Sequence, residues 1–313
     1  MSRAGIALRL FAFLLVLSCQ KKNLSNSESH AFYSSNDTLI NDTSTVDQLS
    51  YGDSVFRASV TGIENRILPV RRPSQPGYFI ANLAGLDLDS ATGKINLSRS
   101  ESGLRYQVYY MSFDKELISQ TSITISGIDY QDRVYDLSSG SVEDQFAIPI
   151  YDMTPGVPLP CGNAENGPIC RFDETDINGD NIPDYIGANN SNLFVDTLTG
   201  VIDLKKSLEA GIFGPVPPGA SLSFLNRRKK DVTIYYRLGD DNCRTLKKIT
   251  VRLIYFQSKA LIPESMQLEI DSRNQRYLLQ PGSAASSGDD LLNLAYYYST
   301  PKRPPLIVIV SGT

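Results

Sequence analysis

A twelve-residue segment occurs twice in this chain, as DSATGKINLSRS at positions 89–100 and as DTLTGVIDLKKS at positions 196–207. Six positions are identical at one constant spacing: Asp89/Asp196, Thr92/Thr199, Gly93/Gly200, Ile95/Ile202, Leu97/Leu204 and Ser100/Ser207. Each copy has the form of an Asp-x-x-Thr-Gly turn that leads into a short strand of alternating apolar residues. A recurring segment indicates a repeated structural unit, so the sequence predicts two related units in one chain.

Short runs of Val, Ile, Thr and Tyr with a period of two recur along the chain, and long helical periodicity is missing. These runs are joined by Gly, Asn and Asp turns, a spacing that predicts an all-β fold made of β-sandwiches. The strand candidates are 54–60, 66–70, 78–82, 94–97, 104–111, 122–128, 145–150, 232–238, 249–256, 267–270, 291–298 and 306–310.

The predicted organisation has five parts: a signal peptide at 1–18, a flexible tether at 19–50, β-sandwiches at 51–151 and 152–257, and a C-terminal β segment at 258–313. The tether is rich in Ser, Asn, Asp and Thr, and such a segment cannot bury enough apolar surface to order itself. The C-terminal segment is short for an independent domain. It either completes the second sandwich or forms a small third unit.

The N-terminus has the features of a secretory signal, with Arg3 and Arg9 near a short apolar run that ends at Leu17-Ser18-Cys19. The run is too short for a permanent transmembrane helix. Leu-Ser-Cys resembles the lipobox of bacterial lipoproteins, in which the peptide is cut before the Cys and that residue is acylated. An ordinary signal peptide with an incidental Cys is the alternative.

The lipobox resemblance implies lipidation at Cys19 and membrane attachment through that lipid, because two or three acyl chains anchor a protein stably. Gln20 follows the cysteine, where enterobacterial lipoproteins retained at the inner membrane have Asp. We therefore expect an outer-membrane location, at the periplasmic face or the cell surface.

Four motifs of the first unit carry a further resemblance: PGYF at 76–79, GLDLD at 85–89, TGKINLS at 92–98 and the alternating strand at 104–110. Together they resemble the cadherin-like or Ig-like repeats of Bacteroidota surface proteins. The second copy keeps the core of the pattern but lacks a clear Gly-Leu lead-in and carries a Pro-rich insertion. The resemblance implies tandem Ig-like (cadherin-like) β-sandwich domains used in adhesion, display or spacing, and it transfers no catalytic residue.

Oxygen-bearing side chains recur at alternate positions of the loop DINGDNIPD at 176–184. Calcium takes six to eight oxygen ligands, which alternate residues of a tight loop can supply. The candidate ligands are Asp176, Asn178, Asp180 and Asp184, with the backbone carbonyl of Ile182. The loop resembles those of integrin-type propellers and thrombospondin type 3 repeats, so we expect one structural calcium ion. A polar turn without metal is the alternative, because Asn, Asp and Gly are ordinary turn formers.

Three cysteines follow the predicted cleavage region, and an oxidising envelope permits a disulfide between two of them. Cys161 and Cys170 bracket a loop with Gly, Asn and Pro and are the preferred pair, which leaves Cys243 free or buried. Connectivity cannot be deduced from sequence alone. The single histidine, His30, lies in the tether, which argues against a Ser-His-Asp triad or a His-based zinc site.

The charge balance and the motifs argue against several functional classes. With 30 Lys and Arg against 34 Asp and Glu, the chain has no electrostatic footprint for nucleic acid. No phosphate-binding loop or dinucleotide fingerprint occurs, although two distant carboxylates remain compatible with a glycosidase. We expect a noncatalytic, lipid-anchored cell-envelope protein that mediates adhesion or presents a surface to a protein or glycan. The alternative is a glycan-binding accessory lipoprotein of a nutrient-uptake system.

Overall fold

The computed structural model describes residues 48–58, 65–82, 85–162, 169–176, 178–240, 245–278 and 303–312. All of them belong to one compact unit, which spans Asp42–Thr313. Cys19, Cys243 and the strand candidate 291–298 lie outside the described residues. Within the described part of the chain, no helix is long and apolar enough to cross a membrane.

The described residues of the first lobe, which spans 48–126, form six strands. They are β1 (Val55–Phe56), β2 (Arg66–Ile67), β3 (Gly77–Ala81), β4 (Ile95–Asn96), β5 (Leu104–Ser112) and β6 (Leu117–Ile125). Four of them form a sheet of order β1-β6-β5-β3, in which β1 runs parallel to β6 and the other pairs are antiparallel. The pair β2-β4 forms a second, small antiparallel sheet, and the core includes Phe79, Ile95, Tyr106 and Ile123.

The described residues of the second lobe, which spans 127–312, form ten strands and two α-helices. The strands are β7 (Ile128–Tyr130), β8 (Arg133–Asp136), β9 (Phe146–Ala147), β10 (Pro149–Tyr151), β11 (Arg171–Phe172), β12 (Phe194–Val195), β13 (Ile202–Asp203), β14 (Lys229–Arg237), β15 (Lys247–Phe256) and β16 (Leu306–Val310). The helices are α1 (Leu204–Glu209) and α2 (Glu264–Leu278). The sheets have the orders β11-β14-β15-β16-β8, β12-β13-β9 and β10-β7.

Strand β16 lies inside the five-stranded sheet and pairs in parallel with β15 on one side and β8 on the other. Its sequence, LIVIV, is apolar throughout, as expected for a strand that is covered on both faces. Ile307 and Ile309 enter the main core of the second lobe. Leu306, Val308 and Val310 pack on the opposite face, in a cluster that includes Ile270 of α2.

The two copies of the repeated segment form the same turn. The backbone N–H of Gly93 donates to the carbonyl of Asp89 at 2.9 Å, and Gly200 donates to Asp196 at the same distance. Both glycines have φ of +72°, a left-handed conformation that glycine adopts without steric cost. A β-strand follows each turn, as the sequence predicts, although in the second copy helix α1 begins directly after β13.

A buried tyrosine holds each of these turns. The hydroxyl of Tyr51 donates to the carbonyl of Gly93 at 2.6 Å, and that of Tyr130 donates to Gly200 at 2.6 Å. A buried hydroxyl needs such a partner, because an unsatisfied polar group in a core is costly. The sequence repeat therefore corresponds to one type of turn, bonded to a buried tyrosine, that occurs in each lobe.

The all-β class is confirmed, and the strand candidates 104–111, 232–238, 249–256 and 306–310 match observed strands to within a few residues. The strand expected at 267–270 is wrong, because α2 occupies this position. Its sequence is rich in Glu, Gln, Met, Leu and Arg, which favour helices. Met266 and Ile270, four residues apart, place one face of the helix against the sheet.

The border between the lobes also differs from the predicted border after Tyr151. Tyr130, Tyr135, Ala147 and Tyr151 lie in the core of the second lobe, so the border falls near Gly127. The reason is long-range pairing, since β8 forms its hydrogen bonds with the C-terminal strand β16. Segment 258–313 accordingly contributes both α2 and β16 to the second lobe.

The predicted tether, 19–50, ends earlier than expected. Leu49 is buried in the core of the first lobe, and the backbone N–H of Ser50 donates to the carbonyl of Arg71 at 3.0 Å. These pairings order the chain before Tyr51, because a backbone bridge and a buried leucine both oppose disorder.

Candidate functional site

A cleft of about 580 Å³ lies between the two lobes. Its first-lobe wall includes residues 97–102 and Ser126, and its second-lobe wall includes Tyr235, residues 245–250 and residues 303–304. Small-molecule sites in proteins have volumes of roughly 300 to 1,000 Å³ and often lie at domain interfaces. The cleft therefore has the size and the position of a ligand site.

The first-lobe wall is positioned by the end of the repeated segment. The hydroxyl of Ser100 donates to the carbonyl of Asn96 at 2.7 Å and accepts from the backbone N–H of Asp87 at 3.0 Å. Ser207 makes the equivalent contacts in the second lobe, to the carbonyl of Asp203 and from the N–H of Phe194. The repeat thus holds the chain in both lobes, but the cleft uses only the first copy.

Hydroxyl groups dominate the polar lining of the cleft, which contains Ser98, Ser100, Ser102, Ser126, Tyr235, Thr245 and Thr250. Thr245 connects the lobes, because its hydroxyl donates to the carbonyl of Ala58 at 2.9 Å. A hydroxyl offers one donor and two acceptor lone pairs, so these groups keep hydrogen-bonding capacity beyond their contacts within the protein.

A buried ion pair forms part of the second-lobe wall. Lys247 Nζ lies 3.1 Å from Asp240 Oδ2, and the two side chains are 6% and 2% exposed. Burial lowers the pKa of Lys247, while the neighbouring Asp240 carboxylate acts in the opposite direction. Charges removed from water require such pairing, so we infer that this ion pair stabilises the connection between β14 and β15.

Arg303 holds the C-terminal segment against both lobes. Its Nη2 donates to the carbonyls of Ser102 and Gly103 at 3.0 and 3.2 Å. The same atom lies 3.6 Å from Oδ1 of Asp129. Asp129 is completely buried. The charge of Arg303 is therefore compensated by Asp129, and the hydrogen bonds of Arg303 link this wall of the cleft to the first lobe.

Glu101 is the single carboxylate among the described residues that line the cleft. Glycoside hydrolysis ordinarily uses two carboxylates placed on either side of the bond that breaks. The described lining does not assemble such a pair. What it assembles is a set of hydroxyls, backbone groups and compensated charges, which suits the binding of a polar organic molecule.

The predicted calcium ligands lie on one exposed loop, where Asp176 caps the turn. Its Oδ1 accepts from the backbone N–H of Gly179 at 2.7 Å, and its Oδ2 accepts from that of Asn181 at 2.7 Å. Gly179 and Asn181 have φ of +84° and +66°, in the left-handed region that Gly and Asn tolerate.

The other predicted ligands also bond within the loop. Asp180 Oδ1 accepts from the N–H of Ile182 at 2.8 Å, and the Asn178 side-chain amide donates to Asp184 Oδ1 at 3.0 Å. Across the described residues, no three Asp, Glu, His or Cys side chains converge on a possible metal position. The loop thus forms a polar turn, while calcium binding stays a prediction.

Cys161 and Cys170 form a disulfide, with their Cα atoms 5.0 Å apart. Cys170 is fully buried in the core of the second lobe, and its sulfur accepts from the backbone N–H of Gly239 at 3.3 Å. The bond therefore attaches the segment around Cys161 to β11 and the β14–β15 hairpin region.

The sequence did not identify the cleft residues as a group. Residues 97–102, 245–250 and 303–304 come from three distant parts of the chain, and no spacing in the sequence connects them. The position of residues 97–102 directly at the end of a repeated segment is the one local signal that could have drawn attention to them.

No family model matches the chain, and no curated protein matches it. A structural comparison finds a SusE-like surface-located polysaccharide-binding protein of the Bacteroides thetaiotaomicron heparin utilisation locus, with 13% identity and a TM-score of 0.20 over 66% of this chain. It also finds domains EC1–3 of the mouse clustered protocadherin PcdhgC3, with 10% identity and a TM-score of 0.18 over 66% of this chain. The matches cover 33% and 67% of those two chains, so this chain spans about a third of the length of the first. Similarities this low carry no argument about function.

Proposed function

We propose that this chain is a noncatalytic cell-envelope protein that binds a glycan in the cleft between its two β lobes. The cleft is the observation that carries the proposal, because it combines a ligand-sized volume with seven hydroxyl side chains. The lipobox resemblance at Cys19 supports attachment to the outer membrane through lipid. This is the function of an accessory lipoprotein that collects a saccharide for uptake.

Adhesion to a protein partner is the second candidate function, and a different surface favours it. Phe113, at the β5–β6 turn, is 71% exposed, and its ring stacks on that of Tyr78 with the ring centroids 6.3 Å apart. Exposed aromatic groups of this kind are enriched in protein interfaces. Because Phe113 and Tyr78 do not line the cleft, the two candidate functions predict different binding surfaces.

A glycan array tests the proposal directly when the mature protein is compared with Thr250→Trp. Thr250 lies in the cleft wall, so an indole at this position should fill the cleft and abolish glycan binding. Thr197→Trp is the matched control, because Thr197 is exposed and lies outside the cleft. Equal binding by the wild type and Thr250→Trp, or a protein array signal that depends on Phe113, would favour the second candidate.

The lipid anchor gives a prediction of its own. Cys19→Ala removes the acylated side chain and the cleavage signal, so we expect the variant to lose its mature, detergent-phase form. The measurement is membrane fractionation with mass spectrometry of the N-terminal peptide, and Ser35→Ala in the tether is the control. A mature-sized, acylated Cys19→Ala protein in the membrane fraction would show that the anchor lies elsewhere.

Calcium binding by the 176–184 loop predicts a change in thermal stability. A ligand that binds only the folded state stabilises it by about 1.4 kcal/mol at tenfold excess over Kd. Extracellular calcium sites have Kd values of about 0.1 to 1 mM, so ~10 mM calcium should raise the melting temperature relative to chelator. Asp180→Ala should remove the shift, whereas Asp114→Ala in the exposed β5–β6 turn should keep it. Identical melting of the wild type in both buffers would identify the loop as a metal-free turn.

A further inference from the structure

We infer that the cleft takes a neutral saccharide rather than an acidic one, an inference that rests on the proposed glycan-binding function. Its basis is the balance of charge around the cleft together with the kinds of hydrogen-bonding groups in the walls. An acidic glycan is recognised through cations whose charge is free, because charge-assisted hydrogen bonds to carboxylate or sulfate need them.

Four cationic side chains line the cleft: Arg99, Lys247, Lys248 and Arg303. Three of them have an acidic partner within ion-pair distance: Arg99 with Asp87 at 3.0 Å, Lys247 with Asp240 at 3.1 Å and Arg303 with Asp129 at 3.6 Å. Asp240 and Asp129 are buried, so these two charges are neutralised away from solvent. An entering anion would be attracted to each cation and repelled by the partner behind it.

Lys248 is the remaining cation, and the wall also carries Glu101. Both side chains are exposed and opposite in charge. The described walls and the acids paired with them then carry four positive and four negative charges. The cations are Arg99, Lys247, Lys248 and Arg303, and the anions are Asp87, Asp240, Asp129 and Glu101. The described walls therefore offer no net attraction to a polyanion, and exposed charges of this kind are screened by salt.

The polar groups that do face the cleft suit an uncharged polyhydroxylated ligand. The hydroxyls of Ser98, Ser102 and Tyr235 can each donate and accept, as the hydroxyls of a sugar also do. The buried Nε of Arg303 has no hydrogen-bond partner among the described residues, which leaves a donor in the wall without an acceptor.

Apolar side chains complete the walls. Leu97, Ile125, Ile249 and Pro304 line the cleft beside the hydroxyl groups. A neutral sugar ring presents C–H groups on its faces and hydroxyl groups around its edge, and removal of the C–H surface from water is favourable. The presence of both apolar and hydroxyl side chains in the cleft suits such a ring.

Isothermal titration of the mature protein with three probes tests the inference: neutral oligosaccharides of glucose, xylose and mannose, uronic-acid oligosaccharides, and sulfated oligosaccharides. We expect binding of a neutral probe, with an affinity that changes less than about twofold between ~50 and ~500 mM salt, because few counterions are released. Preferential binding of an acidic probe that weakens steeply with salt would overturn the inference but keep the proposed function. Failure to bind any of the three would contradict the proposed function itself.

Two substitutions separate hydroxyl recognition from charge recognition. Tyr235→Phe removes one cleft hydroxyl and keeps the ring, so we expect the affinity for the neutral probe to fall about five- to tenfold. Tyr78→Phe, outside the cleft, is the matched control and should have no effect. Lys248→Met removes one cation from the cleft wall, and we expect it to lower the affinity for the neutral probe less than Tyr235→Phe does, because the charge is exposed and screened by salt. A large loss on Lys248→Met with none on Tyr235→Phe would show that charge selects the ligand. Thermal melting of each variant verifies that it is folded.

Discussion

Val308→Asp is expected to unfold the second lobe. Val308 is completely buried in β16, an interior strand of the five-stranded sheet, where its side chain packs with Ile254 and Phe256 of β15 and with Ile270 of α2. A carboxylate at this position would lose its hydration without gaining a partner, at a cost of at least several kcal/mol. Because the whole stability of a domain is only about 5 to 15 kcal/mol, one such substitution is sufficient.

The effect should extend beyond the strand itself, since β16 supplies the hydrogen-bonding partner of both β15 and β8. We expect a loss of near-ultraviolet circular dichroism from the tyrosines of the second core and rapid proteolysis within residues 127–312. Val157→Asp is the matched control, because Val157 is 43% exposed and the same charge remains in water there. A Val308→Asp protein that melts at the wild-type temperature would contradict the placement of β16 inside the sheet and of Val308 in the core.

The second large effect is expected at the glycine of the repeated turn. Gly200 has φ of +72°, and a Cβ built there would lie 2.5 Å from Cε1 of Phe172, a fully buried ring that stacks on Tyr236. Gly200→Ala therefore combines a left-handed alanine, which costs about 1 to 2 kcal/mol, with an overlap in the core that costs about 1 to 3 kcal/mol more.

Gly140→Ala isolates the first of these two costs. Gly140 has φ of +71°, and a Cβ at this position would meet nothing within 4 Å. In chemical denaturation, Gly140→Ala should lose only about 1 to 2 kcal/mol, and Gly200→Ala about 2 to 5 kcal/mol. The first-lobe counterpart, Gly93→Ala, should resemble Gly200→Ala because its Cβ would lie 2.7 Å from the ring of Phe79. Equal losses for Gly140→Ala and Gly200→Ala would show that the close ring contact is unimportant.

The repeated turn was predictable because its chemistry is local. Asp196 Oδ1 accepts from the backbone N–H groups of Leu198 and Thr199 at 3.0 and 2.7 Å, and Gly200 supplies the positive φ. All of these groups lie within five consecutive residues, so the sequence alone specifies them. The tyrosine that closes each turn was not predictable, because Tyr130 is far from Gly200 along the chain and no local pattern indicates the contact.

Long-range pairing explains the errors about the second lobe. The segment 128–151 has the alternation of a strand region, and nothing within it indicates that β8 pairs with a strand more than 150 residues later. In the same way, residues 267–270 alternate as in a strand, and this pattern predicts a strand there. Met266 and Ile270, however, are also spaced as on one face of a helix. A short apolar pattern cannot distinguish these two periods, and the sheet surface that α2 covers decides between them.

The candidate site was the least predictable part. The sequence directed attention to the loop at 176–184, whose spacing is visible in nine consecutive residues. The cleft is formed by side chains such as Ser102, Tyr235 and Arg303, which converge only after both lobes have folded. Its charge balance depends on acids such as Asp129, which are buried behind the wall and do not reach the cleft surface.

Hydrogen–deuterium exchange of the mature protein, with and without a saturating mixture of neutral oligosaccharides, tests most directly whether the cleft is the ligand site. We predict slower exchange in peptides that cover residues 97–102 and 245–250, the two facing walls of the cleft. Peptides that cover the exposed β5–β6 turn at 113–116 should exchange at an unchanged rate. Protection confined to residues 113–116, or no protection anywhere in the described lobes, would contradict the assignment of the cleft as the binding site.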